Sequence, residues 1–99
     1  MYGIIGNITT HPGRREEFIA ILLKSTTKMP GCISYVIARD AADPDTVWVT
    51  EVWDSKESHD ASLTLPEVRE AITQARPLFA SFGKQVITSP VGGYGLTPR

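Results

Sequence analysis

Cys32–Trp53 reads CISYVIARDAADPDTVWVTEVW, two runs rich in β-branched and aromatic residues around the turn-forming Ala41-Ala42-Asp43-Pro44-Asp45. Runs 32–39 and 47–53, joined by so short a connection, predict an antiparallel hairpin. Both runs are apolar on both alternations. Cys32, Val36 and Ala38 fall on one side of the first, and Ile33, Tyr35 and Ile37 on the other. In the second, Val47, Val49 and Trp53 stand opposite Trp48 and Val52. A sheet with one face in water alternates apolar with polar residues, and this hairpin does not. Both faces are therefore expected to be covered, one by helices and the other by a second copy of the chain.

The flanks supply the helices. Upstream, Tyr2–Thr9 (YGIIGNIT) is a strand ended by the His11-Pro12-Gly13 turn. Residues 14–28 then change period: Phe18, Ile19, Leu22, Leu23 and Thr26 form one helical stripe, with Glu16 and Glu17 early and Lys24 and Lys28 late, as the helix dipole favours. Met29-Pro30-Gly31 stops it. Downstream, Asp54 and Ser55 offer N-cap oxygens for a short helix through Leu63. Thr64 and Glu67 suggest a capping box for another, with Val68, Ala71, Ile72, Ala75 and Phe79 on one face and Gly83 ending the pattern. Lys84–Val91 reads as the last strand and residues 92–99 as a tail. The order β-α-β-β-α-β predicts an α+β, ferredoxin-like fold, four antiparallel strands with helices on one face.

Composition bounds the partners. Ninety-nine residues hold one domain, and a net charge of −1 lacks the basic excess of a nucleic-acid binder. No apolar run approaches the ~20 residues that span a bilayer. The opening Met-Tyr-Gly-Ile-Ile-Gly has no basic n-region or apolar h-region, and Cys32 is a single cysteine, so a cytoplasmic location without membrane contact is expected. Gly92-Gly93-Tyr94-Gly95 lacks the helix and lysine of a phosphate loop, and two distant histidines make no metal site.

Several segments together resemble one family: the opening strand with Asn7 and the His11-Pro12-Gly13 turn, Pro30-Gly31-Cys32 with Tyr35, Glu51-Val52-Trp53-Asp54-Ser55, and Leu65-Pro66-Glu67-Val68-Arg69-Glu70. They are similar to the antibiotic biosynthesis monooxygenase domain, which includes quinol monooxygenases and lies in the dimeric α/β-barrel superfamily. The resemblance covers the chain up to its tail and implies a single domain and a homodimer. It also implies oxygenation of a hydroquinone or polyketide-like phenol by O₂ without flavin, haem or metal. The substrate carries the electrons in such chemistry, and the protein desolvates, orients and stabilises negative charge.

The resemblance places a functional tryptophan at Trp53 and an arginine at Arg69, while the asparagine position four before the tryptophan holds Val49. Haem-degrading relatives share only Asn7, since their tryptophan and histidine positions fall near Ser62 and near Ile72 or Ala75. The expected site is therefore Trp53 to pack an aromatic substrate, Arg69 to hold its anion and Asn7 to orient an oxygen, with His59 as a candidate base. Each has a plainer account: strand-end packing for Trp53, a surface ion pair for Arg69, a satisfied amide for Asn7, a solvent-facing helix residue for His59. Tyr35 reads as a dimer-interface tyrosine and Cys32 as a packed thiol. A non-catalytic dimeric sensor of small molecules, or a polyketide isomerase or cyclase, is the alternative on the same scaffold.

Overall fold

The computed structural model describes residues 1–96. It contains strands β1 (Tyr2–Thr10), β2 (Cys32–Arg39), β3 (Thr46–Trp53) and β4 (Phe79–Thr88), and helices α1 (Arg15–Ser25), α2 (Lys56–Ser62) and α3 (Pro66–Ala75). The strands form one antiparallel sheet in the order β2-β3-β1-β4, the α+β, ferredoxin-like arrangement. No described helix is long and apolar enough to cross a membrane.

The hairpin forms where its residues demand. Asp40 Oδ1 accepts from the backbone N–H groups of Ala42 and Asp43 at 2.8 Å each, closing the turn. Its other oxygen accepts from Trp48 Nε1 at 2.7 Å. These hydrogen bonds hold the Asp40 carboxyl down at about 2. A register shift between Cys32 and Ser34 sets Cys32 opposite Trp53, so the alternation read from the sequence holds only from Ser34 onward. Cys32 is buried, as expected.

Helix boundaries follow local chemistry more closely than the apolar stripe does. α1 ends at Ser25, three residues short of the expected end, where the Ser25 hydroxyl donates back to the Leu22 carbonyl. α2 begins as predicted, with Ser55 Oγ accepting from Ser58 N at 3.1 Å. The Thr64 capping box does not form. Pro66 drives Leu65 out of the helical region and makes it the N-cap, and Thr64 Oγ1 donates instead to the Ala61 carbonyl. Nor does α3 run on to Gly83. Pro77 has no N–H to continue the helix, so Arg76–Leu78 tightens into a 3₁₀ turn and Phe79 opens β4. Gly83 then lies inside β4, where a Cβ would stand 1.5 Å from Asn7 Oδ1.

The core sits between sheet and helices. Phe18, Ile19, Val47, Ala75 and Leu78 form its buried centre, flanked by Ile8, Ile37, Val49 and Phe79. Phe18 and Phe79 meet edge to face at 5.0 Å. On the opposite side of the sheet Ile5, Val36 and Val86 remain 36–53% exposed. Of the expected tail at 92–99, residues 97–99 lie outside the described residues, and Tyr94 before them is fully exposed.

Candidate active site

Val47, Val49, Glu51 and Trp53 alternate along β3 and so project to the helix side together. Three of the four are ordinary core residues. Glu51 is a carboxylate on the same face, paired in register with Tyr35 on β2 and Ile4 on β1.

Beneath the helices this face borders a cavity of ≈ 470 Å³, a volume suited to a small organic molecule. Phe18, Leu22, Val68 and Ile72 wall its helix side, and Ile8, Tyr35, Glu51 and Trp53 its sheet side. Polar groups that reach it include His59, Ser62, Arg76 and Gln85. An adjoining cleft of ≈ 430 Å³ shares Ile8, Phe18, Leu22, Tyr35, Glu51, Phe82 and Gln85, and adds Asn7, Val49 and Lys84.

Trp53 organises this site. Its side chain is wholly buried, and Nε1 donates to Glu51 Oε1 at 3.0 Å. The His59 ring meets the indole edge to face at 5.5 Å and lies tilted against Tyr2 at the same distance. His59 Nδ1 is 3.1 Å from Asp60 Oδ1, and Asp60 also accepts from Lys56 Nζ at 2.7 Å. Burial raises the Glu51 pKa above the ordinary carboxylate value, against the opposing pull of the Trp53 hydrogen bond and the His59 charge. Burial also pushes the Tyr35 phenol well above its usual range, helped by the charge of Glu51 and by Cys32. Among the described residues no group of three or more His, Cys, Asp and Glu is placed to hold a metal ion.

The four residues expected from the sequence are not all brought together. Trp53 and His59 line the same cavity. Asn7 borders the adjoining cleft, packed over Gly83. Arg69 is exposed and lies outside both linings, because Val68, Ala71, Ile72 and Ala75 take the inward stripe of α3 and turn it outward. Arg76, in the turn after α3, is the arginine that lines the cavity.

Two placements correct the sequence reading. His59 is not solvent-facing: its side chain is 17% exposed and does reach Asp60, although adjacent helical residues seldom meet. Tyr35 faces the helices, opposite to the exposed side of the sheet. Glu51 lines the cavity although it is not among the residues expected from the sequence; the signal for it is strict alternation, which places it between Val49 and Trp53. For His59 the signal is the spacing of residues 59, 62 and 63, all of which line the cavity.

Comparison with known proteins bears on this site. Residues 1–74 match the antibiotic biosynthesis monooxygenase family. A crystal structure from Chloroflexus aurantiacus J-10-fl, of a protein named for that family, is 53% identical, with a TM-score of 0.94 over 97% of this chain and 98% of its own. One from Nitrosomonas europaea, named likewise, shares the fold at 19% identity, with a TM-score of 0.81 over 93% of this chain and 100% of its own. The uncharacterised Synechocystis protein sll1783 is 30% identical over 80 residues, 78% of this chain and 54% of that protein. The chain thus spans about half the length of that curated relative.

Proposed function

The chain belongs to the antibiotic biosynthesis monooxygenase family, and on that premise we propose that it is a cofactor-independent monooxygenase. Its substrate would be a small aromatic, a hydroquinone or polyketide-like phenol, oxidised by O₂. The supporting observation is an apolar, aromatic-walled cavity into which the Trp53–Glu51 pair is built. A planar ring fits such a space, and a few fixed polar groups suffice to orient it.

The chemistry balances without a further reductant. A hydroquinone and O₂ give a hydroxyquinone and water: the substrate surrenders four electrons, one oxygen atom enters the ring, and the other leaves as water. The protein stabilises the electron-rich anion that meets O₂. In this reading Trp53 packs the ring and Asn7 orients an oxygen from the adjoining cleft. Arg76 lines the cavity and takes the anion-holding part that the resemblance assigned to Arg69.

Oxygen uptake by purified, metal-free protein over a panel of hydroquinones and anthrones tests this. Uptake above autoxidation is expected, falling at least about tenfold in a folded Trp53→Phe variant and persisting in Arg69→Ala. Uptake indifferent to Trp53 would remove the cavity from the reaction. Val49, an apolar wall where polyketide-oxidising relatives carry asparagine, favours a second reading as a non-catalytic binding module. Ligand binding without turnover in air would select it.

We also infer a homodimer joined through the uncovered sheet face, because Ile5, Val36 and Val86 together form an apolar surface on one side of the sheet. Light scattering at micromolar concentration should give about twice the 10.8 kDa chain mass. A monomer would refute the inference.

A further inference from the structure

We propose that Glu51 is the general base of the cavity, taking the acidic proton of an aromatic substrate from a phenol or from a methylene activated by a neighbouring ring carbonyl. The proposal rests on the reading of the cavity as the substrate site and deepens it by assigning the proton.

Three features of the molecule point to this carboxylate. First, strand alternation carries Glu51 into the cavity from β3, an interior strand of the sheet, with register partners Tyr35 and Ile4 on either side. A base on a strand keeps its geometry better than one on a loop. Second, the buried Trp53 indole fixes Oε1 at 3.0 Å, and among the described residues no second hydrogen-bond donor reaches the carboxylate. A carboxylate has about four acceptor positions, so most of this one's capacity is left for a donor within the cavity. Third, the other groups at the site are less suited to the task. Tyr35 holds its proton more firmly than an ordinary phenol, so it serves as a donor, not as a base. His59 turns Nδ1 to Asp60 and packs its ring on Trp53.

The charged and titratable groups around this carboxylate come from several elements. Tyr35 stands beside Glu51 on β2, while His59 of α2 and Arg76 of the turn after α3 line the same cavity; β4 brings the neutral Gln85, with Lys84 in the adjoining cleft. α1 and α3 present mainly apolar side chains. Burial dominates and raises the carboxyl above the ordinary carboxylate value, which makes it a stronger proton acceptor. In the step itself the substrate O–H or C–H bond breaks and a carboxyl O–H bond forms on Glu51. The electron pair stays on the substrate as phenolate or enolate, so no oxidant takes part.

Because no oxidant takes part, the step can be followed without oxygen. Anthrone carries an acidic methylene whose exchange with D₂O is visible by proton NMR. Under anaerobic conditions the protein should exchange it faster than buffer, with a rate that rises with pH as Glu51 ionises. Glu51→Gln should lower that acceleration about 100-fold or more and flatten the pH profile. Glu51→Asp, which retains a carboxylate one methylene back, should fall between them. The Gln variant should fold at least as stably as the parent above the raised pKa. A group whose folded pKa is raised by burial costs stability as pH climbs through it, and glutamine removes that cost. Exchange unchanged in Glu51→Gln, or no faster than buffer with the parent protein, would overturn the proposal. Exchange that depends on Glu51 without oxygen uptake would uphold the base and overturn the monooxygenase reading. Uptake that survives Glu51→Gln with unchanged exchange would do the reverse.

Discussion

Trp53→Ala is expected to cost the fold about 3–5 kcal/mol, the range for deleting a wholly buried aromatic side chain. The indole has no exposed surface, sits at the end of β3 opposite Tyr2 and Cys32, and packs against the His59 ring. Its loss opens a void beside an existing cavity, which the surrounding sheet and helix can only partly close. It also strips Glu51 of its indole donor, leaving a carboxylate in an apolar site without that hydrogen bond. In a chain of this size the melting temperature should fall by on the order of 20 °C. Urea unfolding followed by circular dichroism would show it as a lower midpoint with an unchanged slope. A loss below about 1 kcal/mol would mean that the indole does not fill space in the core, since even a lost buried methylene is felt in a close-packed interior.

Gly31→Ala should be the other severe change, although no cavity is made. Gly31 has φ +83°, a left-handed conformation that costs a side-chain-bearing residue about 1–3 kcal/mol. An added Cβ would also lie 2.5 Å from Ser58 Cβ and Oγ and 2.8 Å from Asp54 Oδ1. Ser58 belongs to the first turn of α2, and Asp54 N donates to the Gly31 carbonyl at 2.9 Å. Relief of the overlap therefore displaces the helix that carries His59. The expected loss is at least about 2 kcal/mol, with a changed His59 ring environment by NMR. Parent-like stability together with unmoved His59 resonances would contradict this account of the close approach.

The sequence carried the topology well because its strong signals are local. β2 is bounded as read, since β-branched and aromatic residues lie between Gly31 and a turn closed by Asp40. Where two signals competed, the backbone rule prevailed over the apolar stripe. Phe79 continues the helical period of Val68, Ala71, Ile72 and Ala75, yet Pro77 ends the helix and hands Phe79 to β4. Pro66 likewise displaces the cap from Thr64 to Leu65.

The site was legible only in part. Trp53 and His59 meet as side chains of β3 and α2, elements that follow each other directly, and both were singled out. Arg69 was carried over from a family position, but helical phase decides which arginine reaches the cavity, and Arg76 does. Glu51 enters the sequence reading only as part of the Glu51–Ser55 segment of the resemblance. Its neighbours on alternate positions, Val49 and Trp53, place it inward. A half-buried carboxylate on the core side of a strand departs from what a core requires, and such departures gather at functional sites.

In the proposed reaction this cavity couples an ionised aromatic substrate to molecular oxygen. Turnover of a hydroquinone or anthrone under ¹⁸O₂, quenched early and read by mass spectrometry, tests it most directly. One ¹⁸O atom is expected in the product, none when the label is supplied as water, and no oxygenated product without O₂. An unlabelled product formed equally well under argon would contradict it and mark the cavity as a site of proton transfer alone.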